Sequence, residues 1–401
     1  MNIKAKLVLE DGSVFEGHPA GFPKSTAGEV VFATGMVGYD QSITDPSYAG
    51  QILTFTYPLI GNWGMPPRQF WESEKIQVQG LVLSELTTKP NHWQMQKTLN
   101  DWLITEKIPA IVGIDTRALT QKLREKGVML GKIVLRDEDV DFWDPNRTNL
   151  VAKVSVSKPR VYFPNPKSEY RNPKQYQNLN SQNSKRFENS DLENPLFAKQ
   201  NSRSKHLFRA SKFDFRNSPN IALLNCGAKA NITRSLLARG TTVWELPWNY
   251  DPFENNLPID GLVISNGPGN PKMADKSIAI IKTALKKKIP TFGICLGNQL
   301  LALAAGGNTY KLKFGHRAQN QPTIEVNTKR CYITTQNHGF AVDDNKLPDG
   351  FTRWFYNAND NTNEGIIHQK LPFFSVQFHP EACPGPIDTE FLFDFFMEQF
   401  K

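Results

Sequence analysis

The chain contains, at residues 290–304, the stretch Pro290-Thr291-Phe292-Gly293-Ile294-Cys295-Leu296-Gly297-Asn298-Gln299-Leu300-Leu301-Ala302-Leu303-Ala304. Its first five residues predict a short buried strand and its last nine predict an apolar helix, with Cys295 at the turn between them. Glycines two residues before and two residues after Cys295 leave room for a sharp strand-to-helix turn, as in G-x-S-x-G sequences. The pattern predicts a thiol that is presented at the top of a sheet rather than buried.

The predicted position of Cys295 also suits a reactive thiol. At a helix N-terminus, unpaired backbone N–H groups and the positive end of the helix dipole favour the thiolate, which is the reactive form. A small core residue between a strand and a helix is the plainer interpretation of the same cysteine. The motif alone leaves both open, so the choice depends on a base elsewhere in the chain.

A second strand followed by polar groups lies near the C-terminus. Residues 372–378 predict a buried strand, and His379-Pro380-Glu381 follows it directly. In extended geometry, residues two apart point to the same side, so His379 and Glu381 are expected to share a face. Cysteine, histidine and a carboxylate that orients the imidazole are the parts of a nucleophilic triad. A helix start with Glu381 in its first turn is the alternative for this segment.

Length and strand pattern divide the chain. A chain of 401 residues exceeds one compact core, and 39% hydrophobic residues suffice for ordinary globular domains. Residues 1–155 predict a β-rich α+β domain, with a hairpin around Asp11-Gly12. Residues 218–401 alternate near-continuous aliphatic strands with helices, which predicts a mainly parallel sheet covered by helices. The predicted fold class is therefore α/β, preceded by a β-rich domain.

Residues 156–217 predict a flexible, basic, Asn/Lys-rich linker or insertion. Residues 160–212 hold 11 of the 47 Lys and Arg but only 4 of the 39 Asp and Glu, so this segment carries +7 of the total charge of +8. It has few aliphatic residues and no period, so it cannot bury enough apolar surface to offset the entropy of ordering it. Because the basic charge is confined here, it is weak evidence for nucleic-acid binding, although an RNA-binding tail stays an alternative.

Several classes of protein are disfavoured. Four cysteines without a C-x-x-C pair argue against a disulfide framework or a zinc site, so no metal is predicted. No apolar run approaches a membrane span, and the N-terminal residues alternate like a strand rather than a leader segment. The chain has no G-x-S-x-G, which disfavours a serine hydrolase. His316 and His338 stand singly and are interpreted as hydrogen-bonded structural histidines.

Taken together, the motifs resemble a known family. Residues 292–299 and 377–381 resemble the class I glutamine amidotransferase domain. Further stretches are similar to the small, glutaminase subunit of glutamine-dependent carbamoyl-phosphate synthase, and they cover the whole chain except the insertion. These stretches are residues 9–12, 28–32, 44–48, 57–62, 113–117, 265–269, 313–316, 336–343 and 380–386.

The resemblance implies a role for each matching position. Cys295 would attack the carboxamide of L-glutamine to form a thioester, His379 would protonate departing ammonia and then activate water, and Glu381 would hold His379. Backbone N–H groups of Gly267 and Leu296 would stabilise the oxyanion. The residues implied in glutamine binding are Ser47, Gly267, Gly269, Leu296, Gln299, Asn337, Gly339 and Phe340.

The resemblance also implies a larger assembly. Ammonia would pass through an internal tunnel to a separate large subunit, which uses ATP, Mg and bicarbonate to make carbamoyl phosphate for arginine and pyrimidine biosynthesis. This chain would hold no cofactor of its own, and neither nucleic acid nor membrane is expected as a partner. A heterodimer or a higher assembly of it, in the plastid stroma as a plastid-encoded protein or in a bacterial cytoplasm, is the expected context.

The chain departs from the family's usual residues at a few positions. Asn298 and Arg317 replace histidines, Asn270 replaces an aspartate, and Asn225-Cys226 replaces Asp-Phe. Asn298 and Asn270 are expected to flank the pocket. These departures leave open a catalytically weakened subunit that acts mainly as a regulatory or structural partner. A stand-alone glutamine amidase, or a glutaminase serving another synthase, is a further alternative.

Overall fold

The computed structural model describes residues 5–136, 138–164 and 218–400. Residues 5–136 contain seven strands that form a closed barrel in the order β1-β2-β6-β5-β4-β3-β7. The strands are β1 (Ala5–Leu9), β2 (Val14–Gly21), β3 (Thr26–Ala33), β4 (Gln51–Phe55), β5 (Gly80–Val82), β6 (Pro109–Val112) and β7 (Met129–Leu135). The helices up to residue 164 are α1 (Tyr39–Thr44), α2 (Leu99–Thr105), α3 (Thr116–Lys126) and α4 (Leu150–Val154).

Local sequence explains several of these elements. Ala5, Leu7 and Leu9 alternate along β1 and are fully buried, as expected for a strand with one face in the core. Gly12, with φ of +85°, turns the chain into β2, as the Asp-Gly pair predicts. Asp115 caps α3 by accepting a 2.9 Å hydrogen bond from the N–H of Ala118. The β-rich first domain predicted from the sequence is therefore present.

The second half of the chain forms a sheet of ten strands with helices packed against it. Its strands are β8 (Arg160–Tyr162), β9 (Asn220–Asn225), β10 (Thr242–Pro247), β11 (Gly261–Ile264), β12 (Thr291–Ile294), β13 (Thr309–Glu325), β14 (Cys331–Val342), β15 (Phe351–Asn357), β16 (Asn363–His368) and β17 (Phe373–Val376). Its helices are α5 (Ala230–Leu237), α6 (Asp275–Lys286), α7 (Leu296–Ala305) and α8 (Phe391–Glu398).

The sheet has a parallel half and an antiparallel half. The strand order is β14-β13-β15-β16-β17-β12-β11-β9-β10-β8, and the strands from β17 to β10 run parallel. Strands β16, β15, β13 and β14 extend it with antiparallel pairs. The α/β class is confirmed, but the long antiparallel extension was not predicted, because its strands carry many polar residues and lack a continuous apolar run.

Two details differ from the sequence prediction. Strand β17 ends at Val376, two residues earlier than predicted, so His379 lies in a turn and not in an extended strand. Strand β8 falls inside the predicted linker and pairs antiparallel with β10. The rest of that linker, residues 165–217, lies outside the described residues. Within the described residues, no helix has the length and apolar character needed to cross a membrane.

Candidate active site

Cys295 lies at the sharp turn between β12 and α7. Its backbone has φ of +54° and ψ of −101°, a conformation that non-glycine residues rarely adopt. A Cβ on Gly293 would lie 2.5 Å from the carbonyl oxygen of Gly297, and a Cβ on Gly297 would lie 2.2 Å from that of Ile264. The turn therefore requires glycine at both positions, which is the physical reason for the sequence motif.

The Cys295 side chain is more enclosed than the sequence predicts. Only 1% of the residue is exposed, and Sγ lies 3.6 Å from the carbonyl oxygen of Asn337 and 3.7 Å from Nε2 of Gln377. The prediction of a presented, unburied thiol is thus wrong as to exposure. These contacts come from β14 and from the residue that follows β17, and neither is local in sequence. Cys295 nevertheless lines a cavity, so a small molecule in that cavity can contact the sulfur.

His379 and Glu381 form a direct pair in the turn after β17. His379 Nδ1 lies 2.6 Å from Glu381 Oε1, and both residues are buried. Burial alone would lower the pKa of the His379 imidazole, but the Glu381 carboxylate and the neighbouring Cys295 sulfur raise that pKa to about 10. Within the described residues, His379 Nε2 has no hydrogen-bond partner. The arrangement is that of a nucleophile, an imidazole and an orienting carboxylate.

Lys229 completes this cluster and was not identified from the sequence. It is 1% exposed, and its Nζ lies 3.2 Å from Glu381 Oε1 and donates to the carbonyl oxygen of Ala382. Burial would raise the pKa of Glu381, but Lys229 and His379 lower it to about 2, so Glu381 stays ionised. Lys229 lies just before α5, about 150 residues from Glu381 in the chain, so no local pattern connects the two.

One cavity collects the residues predicted to bind glutamine. Cys295 lines this cavity, which is partly open to solvent. Its walls include backbone at the ends of β11 and β12 and the central part of β14. All eight residues of the sequence prediction line it: Ser47, Gly267, Gly269, Leu296, Gln299, Asn337, Gly339 and Phe340.

Charged residues at this cavity were missed by the sequence analysis. Glu29 and Lys311 line it as a salt bridge, with Nζ 2.6 Å from Oε1, and buried Arg317 lies beside them. Groups of both signs suit a zwitterionic amino acid, whose ammonium and carboxylate need opposite partners. Glu29 belongs to β3 and Lys311 to β13, so the signal is spatial and not local.

A segment of the first domain reaches into the site. Asn266 Nδ2 donates to Ser47 Oγ at 2.8 Å and lies 3.3 Å from Asp45 Oδ1. Asp45 Oδ1 also caps its own short helical turn by accepting from the N–H of Ser47 at 2.9 Å. Residues 44–48 thus form a buried turn that contacts both domains.

Two departures from the family pattern, Asn298 and Asn270, do not line the cavity. Asn298 donates to Gln377 Oε1 at 3.1 Å and lies behind the nucleophile. Asn270 caps the helical turn Pro271–Met273 by accepting from the N–H of Lys272. Both residues flank the pocket in the chain, next to the lining residues Gln299 and Gly269, but their own side chains bond elsewhere. Cys295, His379 and Glu381 are all present despite these two departures.

His316 and His338 are hydrogen-bonded as expected, but to each other. His316 Nδ1 lies 3.2 Å from His338 Nε2, and His316 Nε2 lies 2.8 Å from Asp360 Oδ2. Burial would lower the pKa of His316, but Asp360 and Glu364 raise it to about 9. His316, His338 and Glu364 are residue types that bind metals, and their ligand atoms lie within 4.8 Å of one another. A protonated His316 supplies the positive charge of this cluster, since its two N–H groups point at Asp360 and His338.

A second cavity lies next to the buried His379. His379 and Lys229 line it, together with first-domain residues such as Asp45. Arg317 and Asn337 line both cavities and therefore separate them. Three exposed apolar residues lie close in the chain to residues that line this cavity. Met36 and Val37 come directly after Gly35, and Ile387 comes shortly after Pro384. Their exposed fractions are 63%, 58% and 68%.

Comparison with known proteins identifies both domains. Residues 7–133 match the family model of the carbamoyl-phosphate synthase small chain, CPSase domain, and residues 222–399 match that of class I glutamine amidotransferases. A solved structure of a glutamine amidotransferase from Thermotoga maritima covers 41% of this chain and 76% of its own at 22% identity. Its TM-score is 0.34, which is too low to support an inference.

Curated relatives match nearly the whole chain. Multifunctional protein URA2 of Saccharomyces cerevisiae is 43% identical over 98% of this chain, and human mitochondrial carbamoyl-phosphate synthase [ammonia] is 41% identical over 99%. Multifunctional protein CAD of Squalus acanthias is 43% identical over 98%. The chain spans 17%, 24% and 16% of these three proteins, so it corresponds to a minor part of each. The chain therefore belongs to the carbamoyl-phosphate synthase small-chain family, as a small-chain domain followed by a class I glutamine amidotransferase domain.

Proposed function

We propose that this chain hydrolyses L-glutamine to glutamate and ammonia, as the glutaminase component of a carbamoyl-phosphate synthase. One observation carries the proposal. Cys295 lies at a strained turn, a buried His379–Glu381 pair lies beside it, and the cavity in front of the sulfur is lined by all eight residues predicted to bind glutamine. A zwitterionic amino acid fits the charged groups Glu29, Lys311 and Arg317 at the same cavity.

The proposed chemistry has two halves. The Cys295 thiolate attacks the side-chain carboxamide carbon of glutamine, and a carbon–sulfur bond forms as the carbonyl electrons move to oxygen. His379 then transfers a proton to the nitrogen, the carbon–nitrogen bond breaks, and ammonia leaves a thioester. In the second half His379 removes a proton from water, which attacks the thioester. The carbon–sulfur bond breaks, glutamate is released, and the Cys295 thiolate is restored.

Two backbone groups support the proposed oxyanion hole. Leu296 is the first residue of α7, and the first N–H groups of a helix have no partner inside it. Gly267 approaches so closely that a Cβ there would lie 2.2 Å from the carbonyl oxygen of Cys226. Both residues line the cavity with Cys295. Two N–H donors directed at the developing charge are the usual requirement for acyl transfer.

The second cavity supports a separate exit for ammonia. His379, which would protonate the leaving nitrogen, lines this cavity and not the one that Cys295 lines. The exposed apolar residues Met36, Val37 and Ile387 lie beyond its wall, and an apolar rim favours contact with another protein surface. We infer that ammonia leaves by this cavity towards a partner that covers its mouth.

The partner proposed is the large subunit of the synthase, which would use ATP, Mg and bicarbonate to make carbamoyl phosphate. Its products would supply arginine and pyrimidine biosynthesis. The length of the relatives supports a larger assembly, since this chain spans only 17% of URA2 and 24% of the human synthase. In those relatives the remaining activities belong to the same polypeptide, so the partner here is either a separate subunit or a further segment. Plastid stroma or bacterial cytoplasm stays the predicted compartment.

A weakened, mainly regulatory subunit is the second candidate. It is favoured by the names of several relatives, which specify ammonia rather than glutamine at 41% identity. The geometry of this chain favours glutamine hydrolysis instead, because the imidazole lies 2.6 Å from the carboxylate and close enough to the Cys295 sulfur for the sulfur to raise its pKa. Asn298 is the departure that suggested a weakened subunit. Its side chain donates to Gln377, and it does not line the cavity.

Cys295→Ser tests the proposal. Glutamate release from glutamine should be lost, while ammonia-dependent carbamoyl phosphate synthesis by the complex with the large subunit survives. Cys331→Ser is the matched control, because Cys331 is a free, exposed cysteine at the start of β14 and should leave both activities intact. A rapid burst of glutamate with a covalent adduct on Cys295 is expected in the native chain. Glutamine-dependent activity that persists in Cys295→Ser would contradict the mechanism.

A further inference from the structure

The Cys295 sulfur has a polar neighbour outside the triad, the side chain of Gln377. Gln377 directly follows β17 and is fully buried, and its Nε2 lies 3.7 Å from Cys295 Sγ. An N–H donor helps a sulfur anion more than a neutral thiol, because hydrogen bonds to charged acceptors are the stronger ones. The neutral thiol has a different partner, since its S–H can donate to the carbonyl oxygen of Asn337 at 3.6 Å. The two contacts thus serve different protonation states of the sulfur.

Neighbouring hydrogen bonds fix which end of the Gln377 amide faces the sulfur. Gln377 Oε1 receives Asn298 Nδ2 at 3.1 Å and Gln299 Nε2 at 3.2 Å. Gln299 Nε2 also donates to the carbonyl oxygen of Phe340 at 2.9 Å, and a carbonyl oxygen can only accept. The orientation of Gln299 is therefore set by the backbone, and it obliges Gln377 to present its NH₂ group to Cys295.

The oxygen end of the Asn298 amide also has a hydrogen-bond partner. The Ser375 hydroxyl donates to Asn298 Oδ1 at 2.8 Å, so Asn298 presents its NH₂ group to Gln377. A reversed Asn298 amide would place two oxygen acceptors against each other. Ser375, Asn298 and Gln377 are all 0% exposed, so water cannot replace a bond that is lost. A buried row of three side chains thus ends on the reacting sulfur.

We propose that Gln377 is a further catalytic residue, whose NH₂ group stabilises the Cys295 thiolate, and that Asn298 is the positioning residue that orients it. The thiolate carries its full charge before it attacks the carbonyl carbon. It regains that charge when the carbon–sulfur bond of the thioester breaks and the electron pair returns to sulfur. Gln377 stabilises the sulfur at both points. This inference rests on the proposed function for its substrate, but the effect on sulfur ionisation can be measured without glutamine.

The test measures alkylation of Cys295 by iodoacetamide against pH, in the full chain with the Cys331→Ser substitution as background. Gln377→Met keeps the length and apolar stem of the side chain and removes the donor. We expect the midpoint of the alkylation profile to move up by about one to two pH units, since a hydrogen bond to a charged group is lost. In glutamine hydrolysis, kcat should fall roughly ten- to hundredfold while KM changes little.

Two further variants keep the inference falsifiable. Asn298→Leu should move the alkylation midpoint in the same direction by a smaller amount, because Gln377 keeps its second donor, Gln299. Ser277→Ala is the control. Ser277 is equally buried and donates to the carbonyl oxygen of Trp248 at 2.7 Å, and the described hydrogen bonds include none from Ser277 to Cys295, so the alkylation midpoint should not change. If Gln377→Met does not fold, Gln377→Glu replaces it and should raise the midpoint further through its negative charge.

The outcomes separate this inference from the proposed function. An unchanged alkylation midpoint in Gln377→Met and Asn298→Leu would overturn the role of Gln377, even if the native chain hydrolyses glutamine. A lowered thermal stability with the midpoint unchanged would overturn it as well, since that result describes packing alone. A shifted midpoint in a chain without glutaminase activity would support the contact with sulfur and overturn the proposed function instead.

Discussion

Asp45 of the first domain and Asn337 of the second are joined by a hydrogen bond in which Asn337 Nδ2 donates to Asp45 Oδ2 at 3.1 Å. Both residues are buried, and Asn337 lines the cavity in front of Cys295. Asp45 thus holds a cavity wall that belongs to the other domain. The two domains build one site between them.

Asp45→Ala should raise the KM for glutamine by roughly tenfold or more, because Asn337, Asn266 and the N–H of Ser47 all lose an acceptor. Steady-state glutaminase assays measure this directly. Asp115→Ala is the matched control, since Asp115 also caps a helix of the first domain but lies far from the cavity and is exposed. An equal change of KM in both variants would show that general loosening of the domain, and not the contact with Asn337, is responsible.

Lys229→Met should lower kcat for glutamine roughly a hundredfold and destabilise the fold by about 3 kcal/mol, because the buried Glu381 carboxylate loses a charged partner and keeps only its contact with His379. Thermal unfolding and glutaminase assays check both effects. Lys122→Met breaks the half-exposed pair with Asp11 and should cost less than about 1 kcal/mol with kcat unchanged. Native-like activity in Lys229→Met would mean that Glu381 holds His379 without Lys229.

His316→Gln should destabilise the protein more at low pH than at high pH. The pKa of His316 is raised from its ordinary value to about 9 by Asp360 and Glu364. A histidine with a raised pKa stabilises the fold fully below about pH 6.5, and that contribution is lost as pH rises through about 9. The difference in unfolding midpoint between native and variant should therefore shrink over this range.

His368→Gln supplies the opposite sign as a control for that pH dependence. Burial and Lys370 lower the pKa of His368, so its contribution to stability is lost as pH falls and not as it rises. Thermal unfolding at about pH 6, 8 and 9.5 would compare the two variants. A constant difference for His316→Gln at all three values would show that His316 is not protonated in the fold.

Gly297→Ala should abolish the turn that holds Cys295, since the new methyl group would lie 2.2 Å from the carbonyl oxygen of Ile264. We expect little folded second domain and no glutaminase activity, measured by circular dichroism and assay. Gly306→Asn, at the other end of α7, is the contrast. Gly306 has φ of +105° but no atom within 4 Å of an added Cβ, so a moderate loss of stability with activity retained is expected there.

The parts of the fold set by local chemistry were predictable from the sequence. The turn at Cys295 was found because its glycines are required by contacts within a few residues and with the neighbouring strand. The parallel strands β9, β11 and β12 were found because both their faces are buried, which forces a continuous aliphatic run.

The parts set by distant pairings were not predictable. The barrel closes through pairing of β1 with β7, more than 120 residues apart, and no pattern in either strand names its partner. Lys229 is connected to Glu381 only in space, and His316 meets His338 only because β13 and β14 pair with a bulge between them. The cavity residues Glu29 and Lys311 likewise come from different domains. Only the tertiary structure shows that these residues lie together.

The site borders two cavities rather than one. Cys295 and the residues predicted to bind glutamine line one cavity, whereas His379 lines the other. If ammonia leaves by the second cavity, as proposed, it passes Arg317 and Asn337, which line both cavities, while the acyl group stays on Cys295. Glutamine would then enter and ammonia would leave by different routes, so an incoming substrate molecule would not meet the outgoing product.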